Sequence, residues 1–163
     1  MTLGRDPDAP AAPAPPREVR DALVFRVDAS LYALDSAFVD HVSEVGRVVP
    51  VPTAPACFAG VVHERGRVLA VVDLARLFGA GGGRSGDGYR RLIALEVRGT
   101  PLVVLAHEVL GLVEVTRDEI RPASSGSALA AGEIAGARGS ITLLDGDELL
   151  YRLRSGPEVR RGP

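Results

Sequence analysis

No segment of this 163-residue chain sustains a 3.6-residue apolar period. Short apolar runs instead alternate with turn residues at intervals of roughly ten residues, the pattern of small barrels or sandwiches rather than helical bundles. Valine occurs 21 times and methionine once; β-branched side chains fit a pleated surface and lose rotamers in a helix. Aromatics make up only 4% of the chain, so any core must be aliphatic.

Leu23-Val-Phe-Arg-Val27 reads as a strand, turned at Asp28-Ala-Ser30 into Leu31-Tyr-Ala-Leu34. Ser36 is a candidate N-cap for one helical turn through Val42. Val48-Val-Pro-Val-Pro52 is extended, and its prolines confine it to an edge or a strand start. Residues 58–63 and 68–72 flank a hairpin tip, Glu64-Arg65-Gly66-Arg67, where Gly66 supplies a positive φ. Residues 73–78 read as a short helix or a closing turn, with Asp73 as its cap. Residues 92–97 and 101–105 form a second hairpin around Arg98-Gly99-Thr100. Residues 109–115, Ile134 and 141–144 continue as strands, and 147–153 as a terminal helix capped near Asp145 or Asp147.

Two breaks organise the chain. Residues 1–17 hold five prolines and read as a disordered, partly polyproline tail. Residues 79–88 hold six glycines and read as a flexible connector. Residues 18–154 then form one domain whose halves, about 18–78 and 89–154, are too small for independent cores and pack together. Residues 155–163 read as a frayed tail.

Composition excludes several functions. All 19 basic residues other than histidine are arginine, so lysine chemistry is absent, and the formal net charge of −2 gives no nucleic-acid footprint. No run approaches the 18 apolar residues of a membrane span. No secretory signal is visible, and the single Cys57 fits a reducing cytosol.

The histidines, His41, His63 and His107, show no ligand clustering, and neither His63-Glu64 nor His107-Glu108 completes an HExxH pattern. Cys57 reads as a small hydrophobe. The glycine loop runs into a strand rather than a helix N-terminus, so it is a linker and not a phosphate cradle. What remains is Gly60-Val-Val-His-Glu-Arg-Gly66, whose tip holds Arg65 out. A guanidinium fixed on a hairpin is a good recognition element, although the same segment is also compatible with an ordinary solvated turn.

Gly60-Val-Val-His-Glu-Arg-Gly-Arg-Val-Leu-Ala-Val-Val-Asp-Leu74 resembles the G-V-x-N-x-R-G-x-x-x-P-V-x-D-L hallmark of CheW-like domains, bacterial chemotaxis adaptors also found at the C-terminus of CheA kinases. Upstream, the 23–27 strand, Tyr32-Ala-Leu-Asp35, Val39, Val48, Pro52 and Pro55 look like family positions. Downstream, residues 92–97, 101–115 and 118–123 resemble the second subdomain.

The resemblance implies an all-β fold of two intertwined five-stranded SH3-like barrels with short helices. It implies no catalysis, metal or cofactor. Its implied partners are the regulatory domain of a CheA-type histidine kinase and the cytoplasmic tip of methyl-accepting chemoreceptors. Neither nucleic acid nor membrane insertion is involved, and the implied location is cytoplasmic, at receptor arrays. The implied partner-binding set is Val39, His41, Val42, Gly60, Val61, Val62, His63, Glu64, Arg65 and Gly66. In it Val39, Val42, Val61 and Val62 form an apolar floor between the barrels, with Arg65 as a charged anchor at its rim.

The chain departs from the family pattern in places. His63 replaces the motif asparagine, both being residues that tolerate a left-handed turn, and His41 stands where an acid is common. His107 stands where Asp is common, Ala70 replaces a proline, and the hairpin at 136–140 is short. These departures bear on partner identity rather than fold, and favour a divergent chemosensory-type pathway. The alternatives are a CheW-like regulator acting on a kinase or another partner outside receptor arrays and, less supported, a metal-dependent enzyme.

Overall fold

The computed structural model describes residues 18–78 and 88–155. Eleven strands are described in two sheets. They are β1 (Val19–Val27), β2 (Ser30–Asp35), β3 (Val39–Glu44), β4 (Val48–Val49), β5 (Phe58–Glu64), β6 (Arg67–Val72), β7 (Arg91–Val97), β8 (Thr100–Ala106), β9 (Glu108–Thr116), β10 (Ala130–Gly136) and β11 (Gly139–Leu144). Two helices accompany them, α1 (Leu74–Leu77) and α2 (Gly146–Ser155). One sheet runs β10-β11-β2-β1-β9 and the other β3-β7-β8-β6-β5-β4.

The sheets do not coincide with the halves of the sequence. The β1–β2 hairpin joins the C-terminal strands through a parallel pairing of β2 with β11 and an antiparallel one of β1 with β9. The β7–β8 hairpin joins the N-terminal strands, β7 antiparallel to β3 and β8 parallel to β6. Each half lends a hairpin to the other, which is the intertwining that the family resemblance implied. The expected count of five strands per barrel holds for one sheet; the other has six, because the two-residue β4 pairs with β5. Neither ladder of hydrogen bonds runs full circle.

This exchange explains the long apolar runs. Leu23, Phe25 and Val27 of β1 pack with Ile93, Leu95 and Val97 of β7 and with Leu102, Val104 and Ala106 of β8 in a core shared by the two sheets. The alternate residues Ala22 and Val24 join Ala33, Val115, Ile134 and Ile141 inside the five-stranded sheet. Leu92 and Ala94 join Val62, Leu69, Val71, Val103 and Leu105 inside the six-stranded one. Strands buried on both faces read as continuous apolar segments rather than alternating ones. Each large aliphatic side chain so buried contributes about 1.5–3 kcal/mol.

Local chemistry sets the junctions. Asp73 caps α1 as expected, accepting from the Arg76 N–H at 3.3 Å. Asp145 rather than Asp147 caps α2, accepting from the Glu148 N–H at 3.0 Å. The helix runs through Ser155, one residue into the expected tail. The turn after β2 is shorter than expected. A single 3₁₀ turn (Ser36–Phe38) is capped by Asp35, which accepts from the Ala37 N–H at 2.9 Å. Residues 39–44 are then extended, not helical, because they pair with β7. The tail at 1–17, nearly all of the connector and residues 156–163 lie outside the described residues.

Leu95 faces the shared core and is essentially inaccessible. Leu95→Ala is expected to cost about 2–5 kcal/mol. Far-UV circular dichroism and tyrosine fluorescence should report one coincident unfolding transition in urea. Two separate transitions would show that the sheets do not depend on a common core.

Candidate partner-binding site

The hairpin between β5 and β6 closes through two residues, with Glu64 paired to Arg67. Arg65 has φ 48° and Gly66 φ 77°. Both central residues are left-handed, the geometry that matches the twist of a two-residue hairpin. The left-handed side chain is therefore Arg65. His63, expected to tolerate that conformation, is instead an exposed residue of β5 opposite Val68.

A second hairpin repeats the turn. Arg98 and Gly99 between β7 and β8 have φ 48° and 75°. The two arginines differ in what they touch. Arg98 Nε donates to Asp147 Oδ1 on α2 at 2.6 Å, and Arg154 of the same helix donates to Thr100 Oγ1 at 2.6 Å. That tip is tied to the fold. Arg65 is exposed and makes no hydrogen bond or ion pair among the described residues.

Beside Arg65 lies a small cleft of ≈ 130 Å³ lined in part by Asp40, His41, Glu64, Arg67 and Glu96. His41 sits in it with its side chain 11% exposed. Its Nδ1 is 2.7 Å from Asp40 Oδ2 and its Nε2 3.0 Å from Glu64 Oε1. This contact spans from β3, one edge of the six-stranded sheet, to β5 near the other edge, so it bridges the mouth of the first barrel. The hydrogen bond from His41 holds the Glu64 carboxyl below its ordinary pKa. The Ser43 hydroxyl has a smaller effect in the same direction, without full hydrogen-bond geometry.

The other expected residues fall into distinct places. Gly60 is buried, with φ 146°, and a Cβ there would lie 2.2 Å from the Val49 carbonyl oxygen, so glycine is what lets β4 approach β5. Val62 is 3% exposed and belongs to the barrel interior, not to a surface floor. Val39 packs against the shared core, and Val42, on the same strand, is 39% exposed. Val61, half-buried on β5, is separated from them in the sheet by β7, β8 and β6. The structure thus brings together His41, Glu64, Arg65 and Gly66, and does not assemble the four valines into one floor. An apolar strip not expected from the sequence lies on β4–β6, where Val49 pairs with Val61, Val61 with Ala70, and His63 with the 67%-exposed Val68. Its signal is the alternation in Arg67-Val-Leu-Ala-Val71, which puts Val68 and Ala70 on one face and Leu69 and Val71 on the other.

The remaining reactive groups are structural. His107 Nδ1 accepts from the Asp28 N–H at 2.9 Å, and its ring lies 4.3 Å from that of Tyr89. The Tyr89 hydroxyl donates to Asp73 Oδ1 at 3.1 Å. Burial first, and then the Asp73 charge, push that phenol up. Burial also pushes the Cys57 thiol up, away from nucleophilic use. Among the described residues no group of three or more His, Cys, Asp or Glu is placed to hold a metal ion. No helix of the described residues is long and apolar enough to cross a membrane.

Tyr89→Phe removes a hydroxyl donor from the buried Asp73 and is expected to cost about 1–3 kcal/mol in urea unfolding. Glu64 gives a pH signature. Its carboxyl is lowered on folding, so its contribution is present above the unfolded-state pKa and is lost as pH falls through the folded one. The stability gap between wild type and Glu64→Gln is therefore expected to shrink as pH is lowered from about 6 to about 3. A gap that stays constant over that range would contradict the assigned pairing.

The chain is similar in sequence or in fold to known proteins. Residues 21–154 match the CheW-like domain family. Protein FrzA of Myxococcus xanthus is 33% identical over 157 residues, covering 92% of this chain and 97% of that protein. The chemotaxis protein CheW of Thermotoga maritima is 26% identical over 100 residues, 61% of this chain and 65% of that protein. In fold, the crystal structure of the scaffolding protein TtCheW from Thermoanaerobacter tengcongensis superposes with a TM-score of 0.68 at 22% identity, covering 81% of this chain and 86% of that one. With the hairpin motif, the exchanged sheets and the match across residues 21–154 in agreement, the chain belongs to the CheW-like domain family of chemotaxis scaffold and adaptor proteins.

Proposed function

We propose that this protein is a non-enzymatic adaptor that couples chemoreceptors to a CheA-type histidine kinase. It acts in the cytoplasm, at membrane-associated receptor arrays, without entering the membrane. One partner is the regulatory domain of the kinase. The other is the helical cytoplasmic tip of a methyl-accepting receptor. The observation that carries the reading is the contrast between the two Arg-Gly tips. Arg98 is tied to α2, whereas Arg65 is held out by a strained turn and has no partner among the described residues. A planar guanidinium fixed in place loses little entropy on binding a carboxylate. The exposed valines of β4–β6 supply apolar area next to it. His41, Glu64 and Gly66 position the anchor.

A second reading keeps the adaptor role but changes the partners. His41 and His63 alter the charge at positions where the family pattern has an acid and an asparagine, and a changed charge at a contact selects a different surface. In that case the chain binds a kinase outside receptor arrays.

Binding of the purified chain to a CheA-type kinase and to a receptor cytoplasmic fragment, measured by calorimetry, tests both. Arg65→Glu is expected to weaken receptor binding by roughly tenfold or more, with Arg98→Ala nearly unchanged. If Arg65→Glu left both affinities intact, the assigned anchor would be wrong. Kinase binding without receptor binding selects the second reading.

A further inference from the structure

The cleft beside Arg65 holds a histidine between two carboxylates. Its two ring nitrogens face Asp40 Oδ2 at 2.7 Å and Glu64 Oε1 at 3.0 Å. An ionised carboxylate only accepts hydrogen bonds, and a neutral imidazole has a single N–H. Both contacts are satisfied together only by the imidazolium. When the ring is neutral, its one N–H keeps the shorter contact, 2.7 Å to Asp40, the other nitrogen turns a lone pair on Glu64, and the 3.0 Å contact is lost.

The neighbouring charges determine where a released carboxylate turns. The charged groups lining this cleft are Asp40 on β3, Glu64 on β5, Arg65 and Arg67 on the hairpin, and Glu96 on β7. The His41 side chain is only 11% exposed and that of Glu64 18%, so neither is fully screened by water. Arg65 already exerts a favourable charge effect on Glu64 without touching it. A Glu64 carboxylate released by His41 has the neighbouring guanidinium as its next partner.

We propose that His41 is a protonation-dependent latch. As imidazolium it ties the β3 edge to Glu64 across the mouth of the first barrel and leaves the Arg65 guanidinium free. On losing the proton it releases Glu64, which turns to Arg65 and loosens the hairpin. The sign comes from the chemistry: the latch is closed at lower pH and opens as pH rises. Its effect on partner affinity rests on the adaptor reading above; the latch itself is a property of the free chain.

The test uses the free, full-length protein. Amide hydrogen exchange at Glu64, Arg65, Gly66 and Arg67 is followed by NMR between about pH 5.5 and 8.5, a range that brackets the titration of histidine. The amides of Arg98 and Gly99 serve as reference, because that tip has the same turn and is held by Asp147 instead of a histidine. Relative to the reference, protection at the Arg65 tip is expected to fall by roughly tenfold across the range, the loss of about one charge-assisted hydrogen bond. In His63→Gln the relative pH dependence of the two tips should persist. In His41→Gln the two tips should show no relative pH dependence. Equal behaviour of the two tips in the wild type, loss of the pH dependence in His63→Gln, or a pH dependence that survives His41→Gln each overturns the proposal.

Discussion

Everything in this fold depends on three strands whose central residues have no solvent face. β1, β7 and β8 each present one set of side chains to the shared core and the alternate set to a barrel interior. A strand with two buried faces needs a layer on both sides, and about sixty residues do not supply three layers. Hairpin exchange meets that need. Each sheet takes its doubly buried hairpin or strand from the other half of the chain, so neither half is complete alone. The site inherits its rigidity from this, because β5 and β6 are fixed by the parallel pairing of β6 with β8.

Two hairpins with the same Arg-Gly turn show how one local solution serves two purposes. The turn demands positive φ at both central residues, and arginine at the first is an uncommon choice. At Arg98 the guanidinium is used inside the molecule, bonded to Asp147 and helping to seat α2 on the second hairpin. At Arg65 the nearest acid, Glu64, is engaged by His41 instead. The cation is left outward because its natural intramolecular partner has been taken. In the second hairpin Glu96, next to the turn, lies in the cleft near His41 rather than on Arg98, so charges at both tips are sorted between fold and surface.

Much of this is legible in the sequence, for identifiable reasons. Period-2 patterning and turn residues locate most strands, and side-chain chemistry marks the cap at Asp73 and narrows that of α2 to Asp145 or Asp147, between which only the structure decides. Sequence places a left-handed residue on the hairpin but points to His63 as well as Gly66, because that position is asparagine-like. Hydrogen-bond register puts it on Arg65. Val62 reads as surface because an apolar strand residue beside a charged tip has no sequence mark saying which face it takes. The face is fixed only when β5 pairs with β6 and the sheet curls. The shortened turn after β2 is hidden for a similar reason: Ser36 is a good cap in isolation, but pairing with β7 extends the chain from Val39 onward.

The least legible feature is the pairing of positions 41 and 64, which lie 23 residues apart. Considered singly, His41 is an acid replaced by a base, a change that looks like a loss of family character. The structure couples it to Glu64. At position 41 the Glu64 carboxylate faces a hydrogen-bond donor 3.0 Å away instead of a like charge, and that bond holds its carboxyl below the ordinary range. Histidine at 41 and glutamate at 64 therefore form one hydrogen-bonded unit across the barrel mouth, base against acid. That balance also sets the field around Arg65: with His41 charged, the six charged groups of the cleft sum to zero, and with it neutral they sum to one negative charge. A carboxylate placed beside Arg65 would meet no net repulsion in the first state and a net negative field in the second.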